Sequence, residues 1–316
     1  MKKKLVSVVI PTYNREEFIS DALESCLSQS IKLDEIIVVD NHSTDETCNI
    51  VSEYIKKFSN IKLYKNKINV GMVKNWNRCV KLATSEYVGI LHSDDVLPPN
   101  WHQIIRDKIK SDKSKKISLY FGNVACFTSG DSKMKIISRI RLFSKNTSFA
   151  PIESIDKLWR NFFGNPNNSA AIIYKKKIFD EIGYFNPYFQ TESDQEFHIR
   201  VLSKYSSLYI NKDLVFYRRH RYQAFDQNKQ VESAVTSAQR ITRSVEIQQK
   251  LLPDKKLVYY SYCGIYLYLL KFYALADKTA IDIIFKIPNI INIKSISLFP
   301  KFFIKLIIRR SFSRYL

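Results

Sequence analysis

Tyr87-Val-Gly-Ile-Leu-His-Ser-Asp-Asp95 joins a short apolar run to two adjacent carboxylates. The run reads as a strand buried on both faces, and the acids then stand at its carboxyl end. In open α/β sheets ligands bind beyond the carboxyl ends of the strands, and paired acids there can hold a hard cation that in turn holds phosphate oxygens. A second reading is local. His92-Ser-Asp-Asp-Val-Leu-Pro-Pro99 carries the residue types that cap a helix start, and a helix is expected from near Pro99. The flanking sequence has to separate the two.

Upstream, Leu5–Ile10 is rich in β-branched residues and stops at Pro11, which predicts a first strand. Phe18, Ile19, Ala22, Leu23, Cys26 and Leu27 then recur at helical spacing. Glu35-Ile-Ile-Val-Val-Asp40 predicts a second strand, again with an acid at its carboxyl end, and Asn41–Glu46 a turn and cap before a stripe at Ile50, Val51, Tyr54 and Ile55. A third strand is expected at Ile61–Tyr64. Asn69-Val-Gly71 opens a helix that turns Trp76, Val80 and Ala83 inward. This alternation predicts right-handed crossovers and a mainly parallel sheet, with residues 1–100 as a nucleotide-binding half. Neither Gly-x-Gly-x-x-Gly nor Gly-x-x-x-x-Gly-Lys-Ser/Thr occurs, so strand-end acids must do the holding. Asp40 is placed to accept from a base or ribose, and equally to cap the next helix.

Downstream, Ile117–Phe127 predicts another strand, and Gly130–Thr147 a polar, basic loop or hairpin. Helical spacing at Ile155, Leu158, Trp159 and Phe162 precedes a strand at Ser169–Tyr174 and a short helix, Lys177–Ile182, stopped by Gly183. Phe197, Val201 and Leu202 mark a further helix. Asp194 falls on its first turn and is expected to face away from that stripe, a position that helix-dipole chemistry alone would favour. Leu214–Tyr217 is the last expected strand and runs into Arg218-Arg-His-Arg221.

The 316 residues are 45% hydrophobic, enough for a sizeable core, and their net charge of +20 asks for an anionic partner. Five scattered cysteines without a Cys-x-x-Cys pair point to a reducing compartment. Lys2–Lys4 precede an apolar run too short for an export signal, and no stretch is apolar for long enough to span a membrane.

Seven motifs in order resemble the family 2 glycosyltransferases, inverting enzymes of the nucleotide-diphospho-sugar (GT-A) fold. They are Val8-Val-Ile-Pro-Thr-Tyr-Asn14, Ile36–Asp40 with Ser43-Thr-Asp45, Asn69-x-Gly71, Tyr87–Asp95, Gly183-Tyr-Phe-Asn186, Asp194 with Arg200, and Tyr217-Arg-x-His220. The resemblance runs from about Leu5 to Arg221. It implies an α/β catalytic domain over residues 1–225, with residues 101–225 as an acceptor half; beyond it, the spacing of Val235, Ala238, Ile241 and Val245 predicts a helical C-terminal region over residues 226–316. It further implies that Pro11, Thr12, Tyr13 and Asp40 bind base and ribose, typically uridine, with Asn69, Gly71 and Ser93 in the same donor site. Asp94 and Asp95 would hold Mn²⁺ or Mg²⁺ on the diphosphate, His220 would complete the metal site, and Asp194 would be the catalytic base. Three positions depart from the family pattern: His92 stands for the first aspartate of the metal motif, Asn41-His42 for Asp-Gly, and Ser193 for Glu. The absence of Gln-x-x-Arg-Trp after Asp194 fits addition of a single sugar.

From Lys255 to Leu316 eleven Lys or Arg face only Asp277 and Asp282. Phe299, Phe302, Phe303, Leu306 and Ile307 share one helical face and Lys301, Lys305 and Arg309 another. Two readings fit, a helix lying in an anionic membrane interface and a subdomain that packs its stripe on the catalytic domain. The first places a cytoplasmic enzyme at the inner face of the cytoplasmic membrane, acting on a glycan or lipid-linked acceptor in cell-surface polysaccharide synthesis. Asp131–Thr147 and Phe162–Asn168 are candidate acceptor walls. Nucleic acid is not expected as a partner, since no binding motif accompanies the charge. The rival readings are a catalytically idle nucleotide-sugar-binding module and a nucleotidyltransferase of related fold.

Overall fold

The computed structural model describes residues 4–130, 133–151, 153 and 172–219. The chain divides into two compact units, one of Met1–Leu158 with Asn165–Arg221 and one of Trp159–Gly164 with Tyr222–Leu316. The second unit, His220, the expected helix at Ile155–Phe162 and the basic tail all lie outside the described residues.

The first unit is built on a nine-stranded sheet. Its first half runs β1 (Val6–Thr12), α1 (Ile19–Leu27), β2 (Glu35–Asp40), α2 (Thr47–Lys57), β3 (Ile61–Lys65), α3 (Met72–Leu82), β4 (Tyr87–Ile90) and α4 (Trp101–Ser111). Then follow β5 (Ile117–Gly130), β6 (Lys133–Ile140), β7 (Thr147–Phe149), β8 (Ile172–Lys175), α5 (Lys177–Ile182), a 3₁₀ turn (Pro187–Glu192), α6 (Ser193–Lys204) and β9 (Ser206–Arg218). Strand order is β3-β2-β1-β4-β8-β5-β9-β7, with β6 paired to β5 off this path. β1 to β4 are parallel, as their buried apolar runs predict, and β8 joins antiparallel between β4 and β5.

Strand alternation sorts the core. Val6, Val8, Ile10, Ile36 and Val38 pack in one cluster with Ile19, Ala22 and Leu23 of α1, Val51 of α2 and Trp101 and Ile105 of α4. Val9, Ile37 and Val39 fall on the opposite face, where α3 lies against β1 and β2. Crossovers from β1 to β2 to β3 therefore cover one face, and the return from β3 to β4 covers the other. The sheet switches direction between β1 and β4, which is where an open α/β sheet leaves a crevice.

Pro11 sharpens that crevice. β1 runs two residues past its expected end, and Pro11 pairs in register with Val39 of β2. Val9 accepts at 2.9 Å from the N–H of Leu91, the residue just after β4, and Thr12 accepts from Asn41 N on the β2 side at 2.8 Å. By alternation, Pro11 turns its missing N–H toward β4, which has already ended at Ile90. No ladder bond is lost, and the two strands part.

Glu35 pins the opposite edge. Buried at the start of β2, it accepts from Ser7 Oγ at 2.7 Å, Lys4 Nζ at 2.9 Å, and Thr84 N at 2.9 Å. Burial pushes its pKa up, but the bonds from Lys4, Thr84 and Ser7 outweigh burial and hold it at about 2 instead of 4.5. A carboxylate depressed in the folded state stabilises the fold fully above its unfolded pKa and loses that contribution as pH falls through the folded one. Glu35→Gln is therefore expected to cost on the order of 2 kcal/mol in urea unfolding at pH 6, with the gap to wild type closing as pH falls from 4.5 toward 2. A gap that stays constant with pH would show that the ionised state of Glu35 is not what stabilises this edge.

Candidate functional site

Two loops meet at the carboxyl ends of β1 and β2. Asp40, buried at the end of β2, accepts from Ser43 N at 3.0 Å and from the Ser43 hydroxyl. Asp40 thus caps its own turn at the strand end and not the next helix, since the N-cap of α2 is Glu46. Asn14, in the left-handed region at φ 50°, accepts from Thr44 N at 2.9 Å, and its own N–H donates to Ser43 Oγ at 2.9 Å. Arg15 N donates to Thr47 Oγ1 at 2.8 Å. The loops are thus laced into one rim. Pro11 is buried, the Thr12 hydroxyl is buried without a hydrogen-bond partner, and the Tyr13 side chain is exposed.

Beside this rim four asparagines form a network. Asn41 Oδ1 accepts from Asn66 Nδ2 at 2.8 Å and from Val70 N at 3.0 Å, and Asn41 Nδ2 donates to Asn69 Oδ1 at 2.8 Å. Asn69 Oδ1 also takes Gly71 N at 2.9 Å, while Asn75 ties Asn66 to Val39 O. Gly71 caps α3 at φ +84°, a conformation that costs glycine little. Asn69 and Gly71 thereby hold the β3–α3 loop against the end of β2. Asn41 both accepts and donates here, which an ionised Asp could not do.

The acid pair after β4 is held from the far end of the chain. Asp95, 1% exposed, accepts from Arg218 N at 3.0 Å through Oδ1, and its Oδ2 is buried without a hydrogen-bond partner. Arg218 Nε donates to Asp94 O at 2.8 Å and its second terminal nitrogen to Asp21 Oδ2 at 2.6 Å. The guanidinium lies over the rings of Phe127 and Phe18, 4.7 and 5.2 Å from their centroids. Val96 and Phe216 exchange both backbone hydrogen bonds, at 3.0 and 2.8 Å. Burial first, then the neighbouring Asp94, push the Asp95 carboxyl well above the usual range, against the pull of Arg218. Ser93 is buried, and Arg15 Nε stands 3.9 Å from Asp94 Oδ2. His92 packs on Trp76 with ring centroids 5.4 Å apart, and burial lowers its pKa against the pull of Asp94.

Asp194 corrects one expectation. α6 is buried on every side from Ser193 to Ile199, and Asp194, only 9% exposed, does not face away from the apolar stripe. The physical reason is its spacing: Asp194 lies three and seven residues before Phe197 and Val201, on their face of the helix. Polar Gln195 and Glu196 are buried too. Glu196 is offset by a two-pronged pair with Arg200, at 2.6 and 2.8 Å. Arg200 also donates to Ile182 O and Tyr184 O, so it fastens α6 to the Gly183 turn, where φ is +82°. Ser193 donates to Asn186 O at 2.6 Å, and Gln190, just before it, sits at φ 48°.

Rings connect the two halves. His92 packs on Trp76, Trp76 on Phe185, and Phe185 on Phe197 and Tyr174. The Tyr174 hydroxyl is 2.7 Å from His198 Nε2, and burial, then the charge of Asp194, raise the Tyr174 pKa. Burial pushes His198 down to about 3, so its ring is neutral. The structure therefore gathers Thr12, Asp40, Asn69, Gly71, Asp94 and Asp95 at the carboxyl ends of β1, β2 and β4 and the loop after β3, and reaches Asp194 through this column. Sequence reasoning missed Arg218, Asp21, Tyr174 and His198. Tyr217-Arg-x-His220 contains Arg218, but nothing in its spacing points to Asp94 or Asp95. Among the described residues no group of three or more His, Cys, Asp or Glu side chains could by itself hold a metal ion.

The family model described as "Glycosyl transferase family 2" matches residues 7–183, more than half of the chain. Glycosyltransferase GlyG of Streptococcus pneumoniae is 24% identical over 224 residues, 68% of this chain and 71% of GlyG. An uncharacterized glycosyltransferase of Mycoplasma genitalium is 35% identical over 124 residues, 38% of either protein. The poly(ribitol-phosphate) beta-glucosyltransferase of Bacillus spizizenii is 37% identical over 95 residues, 29% of this chain and 15% of that protein. In fold, the chain is similar to S. aureus TarS residues 1–349 in complex with UDP, with TM-score 0.55, 18% identity and 89% of each chain covered.

Arg218 is buried while its partner Asp21 is half-exposed, 4% against 54% for the side chains. Arg218→Lys, which cannot span both Asp94 O and Asp21, is expected to lower the unfolding free energy by about 2 kcal/mol. Asp21→Asn should cost under about 1 kcal/mol, as exposed partners do. Equal losses in urea denaturation would place the value of the contact in the ion pair rather than in the grip on Asp94.

Proposed function

The chain belongs to glycosyl transferase family 2, and from that premise we propose that it moves one sugar from a nucleotide-diphospho-sugar to a hydroxyl of a glycan or lipid-linked acceptor, with inversion. Its relatives include proteins named for polysaccharide synthesis, a poly(ribitol-phosphate) beta-glucosyltransferase and a chondroitin synthase. The observation that carries the reading is the strand-end crevice, where the buried Thr12 hydroxyl and Asp95 Oδ2 both lack hydrogen-bond partners. Buried polar atoms without partners cost free energy that a polar ligand offsets. A nucleoside diphosphate supplies what they lack. The exposed Tyr13 ring offers a face for a base, Asp40 and Thr12 lie where a ribose would sit, and Asn69, Gly71 and Ser93 border the same edge. UDP is the favoured nucleotide, since TarS is described in complex with UDP and with UDP-GlcNAc.

Asp94 and Asp95 fit a divalent cation such as Mn²⁺ or Mg²⁺. They are hard oxygen donors, and the buried, unpartnered Asp95 oxygen beside a second acid is a pair whose repulsion a cation relieves. His220, outside the described residues, is proposed as a further ligand. When bound, such a cation neutralises charge on the departing diphosphate. Arg218 keeps the acid turn in place by donating from its side chain to Asp94 O and from its backbone N–H to Asp95 Oδ1, which leaves Asp95 Oδ2 to a ligand.

Asp194 is proposed as the base. The acceptor O–H attacks the anomeric carbon opposite the diphosphate. The new C–O bond forms as the old one breaks, the proton passes to the Asp194 carboxylate, and the nucleoside diphosphate leaves with the bonding pair. α6 is locked by Arg200 and Ser193, so its carboxylate does not drift. The proposed setting is cytoplasmic, at the inner face of the membrane. Among the described residues no helix is long and apolar enough to cross one.

Asp194→Asn should cut sugar transfer by about 10² to 10⁴ while leaving nucleotide binding unchanged. Asp95→Asn should weaken UDP binding in Mn²⁺ and blunt its metal dependence. Titration of UDP, GDP and TDP with and without Mn²⁺, followed by a nucleotide-sugar hydrolysis screen, checks both. Binding of no nucleotide would sink the transferase reading, and full transfer by Asp194→Asn would remove the assigned base.

A further inference from the structure

The β5–β6 hairpin stands out from the rest of the first unit. β5 is parallel to β9 and antiparallel to β8, and β8 is antiparallel to β4, so the carboxyl end of β5 lies on the same edge as the ends of β1, β2 and β4. β9 accompanies β5 only as far as the pair Phe127–Arg218. The hairpin then continues through Thr128–Lys135, Ser129–Met134 and Gly130–Lys133 as a two-stranded ribbon. Phe127, at its root, is the ring on which Arg218 lies. The ribbon therefore leaves the sheet beside the acid pair.

Its composition is unusual for a free edge. From Ser132 to Ala150 the chain holds Lys133, Lys135, Arg139, Arg141 and Lys145 and no acid. Three aliphatic side chains on β6 are open to solvent, Met134 at 44%, Ile137 at 50% and Ile140 at 40%. Ile137 is the extra residue of a β-bulge, since Ser138 pairs with Cys126 and Ile136 with Phe127. Cations and a bulge alone would be ordinary protection of an edge strand against pairing with another chain. Exposed Met and Ile on that same strand work against such protection, so they call for a surface that covers them. A polyanion in water satisfies the cations and leaves the aliphatics wet. A lipid surface satisfies both, with headgroup phosphates on Lys and Arg and the aliphatics among the upper acyl chains.

We propose that the β5–β6 hairpin is a membrane-contact ribbon that seats the carboxyl edge of the sheet on an anionic lipid surface. The inference rests on the reading of a lipid-linked acceptor, and it involves a different segment from the basic tail. It also gives the hairpin a purpose. A sugar acceptor carried on lipid would be presented to the edge that holds Asp94, Asp95 and Arg218, and the ribbon would set that edge toward the bilayer. Arg139 is partly engaged, by Asp213 at 2.9 Å, which leaves Lys135 and Arg141 as the cations best placed for phosphate.

The test uses the full chain and sedimentation with vesicles of phosphatidylcholine alone or of equal parts phosphatidylcholine and phosphatidylglycerol. Wild type should bind the anionic vesicles and not the neutral ones. Lys135→Glu with Arg141→Glu, and separately Met134→Ser with Ile137→Ser, should each weaken that binding at least about tenfold. Thermal midpoint and UDP affinity should stay at wild-type values, since these residues belong to neither the core nor the donor site. If wild type ignores anionic vesicles, the membrane reading and the hairpin both fall. If wild type binds and both double variants bind equally well, the hairpin falls and the membrane contact lies elsewhere in the chain. Loss of self-association in Met134→Ser/Ile137→Ser, with vesicle binding intact, would instead give the ribbon to a second copy of the chain.

Discussion

β1 and β4 are hydrogen-bonded neighbours as far as Val9 and Leu91, and beyond that they part. Everything at the candidate site depends on that separation. It comes from two independent causes that coincide at the same place. Topology puts the switch in crossover direction between these strands, and chemistry puts Pro11, which cannot donate, on the side where β4 has ended. Backbone that would otherwise be consumed in a ladder with β4 is left at the rim, where the loops after β1 and β2 bond to each other instead. Thr12, Asp40 and the Asp94-Asp95 turn follow directly from where those loops begin.

A crevice lined by acids needs something to hold the acids together, and Arg218 does this from the last described strand. Its guanidinium reaches Asp94 O and Asp21, its backbone N–H reaches Asp95, and two aromatic rings close over it. The bond to Asp94 goes to the backbone carbonyl and not the carboxylate. Asp95 is likewise met only by a backbone N–H on one oxygen. The acid turn is thus fixed in position through the Asp94 carbonyl and one oxygen of Asp95, with Arg15 Nε 3.9 Å from the Asp94 carboxylate.

The parts of this arrangement differ in how far the sequence revealed them. β1, β2 and β4 were legible because each is buried on both faces, so its apolar run is continuous and its end is marked by Pro11, Asp40 or His92, whereas β3, only partly buried, shows as the alternation of Ile61, Leu63 and their polar neighbours. The apolar pattern marks only Leu214–Tyr217 of β9, which spans Ser206–Arg218, since Asn211, Lys212 and Asp213 interrupt it where the register with β5 shifts. α6 was legible as a helix but not in its burial. Glu196 looks like a solvent residue until Arg200, one turn on, is seen to neutralise it, and that spacing of four was available to reading. Arg218 was not. Its partners lie 197, 124 and 123 residues away, and no local pattern encodes a contact at that distance.

The three departures from the family pattern become intelligible as changes of partner. Asn41 replaces a charge by an amide that donates to Asn69 and accepts from Asn66 and Val70, so the loop after β3 is tied down by neutral bonds. His92, its pKa lowered by burial, stacks on Trp76 and begins the column of rings toward Tyr174. Ser193 donates to Asn186 O just ahead of Asp194 and Glu196, the two acids in the first turn of α6. Each change withdraws a carboxylate from the neighbourhood of the site. The acids that remain are Asp40, Asp94 and Asp95 at the strand ends and Asp194 with its buried neighbours Glu192 and Glu196. Since like charges close together in a buried crevice raise one another's cost, a site with fewer acids can keep the remaining ones where a cation and an acceptor proton would need them.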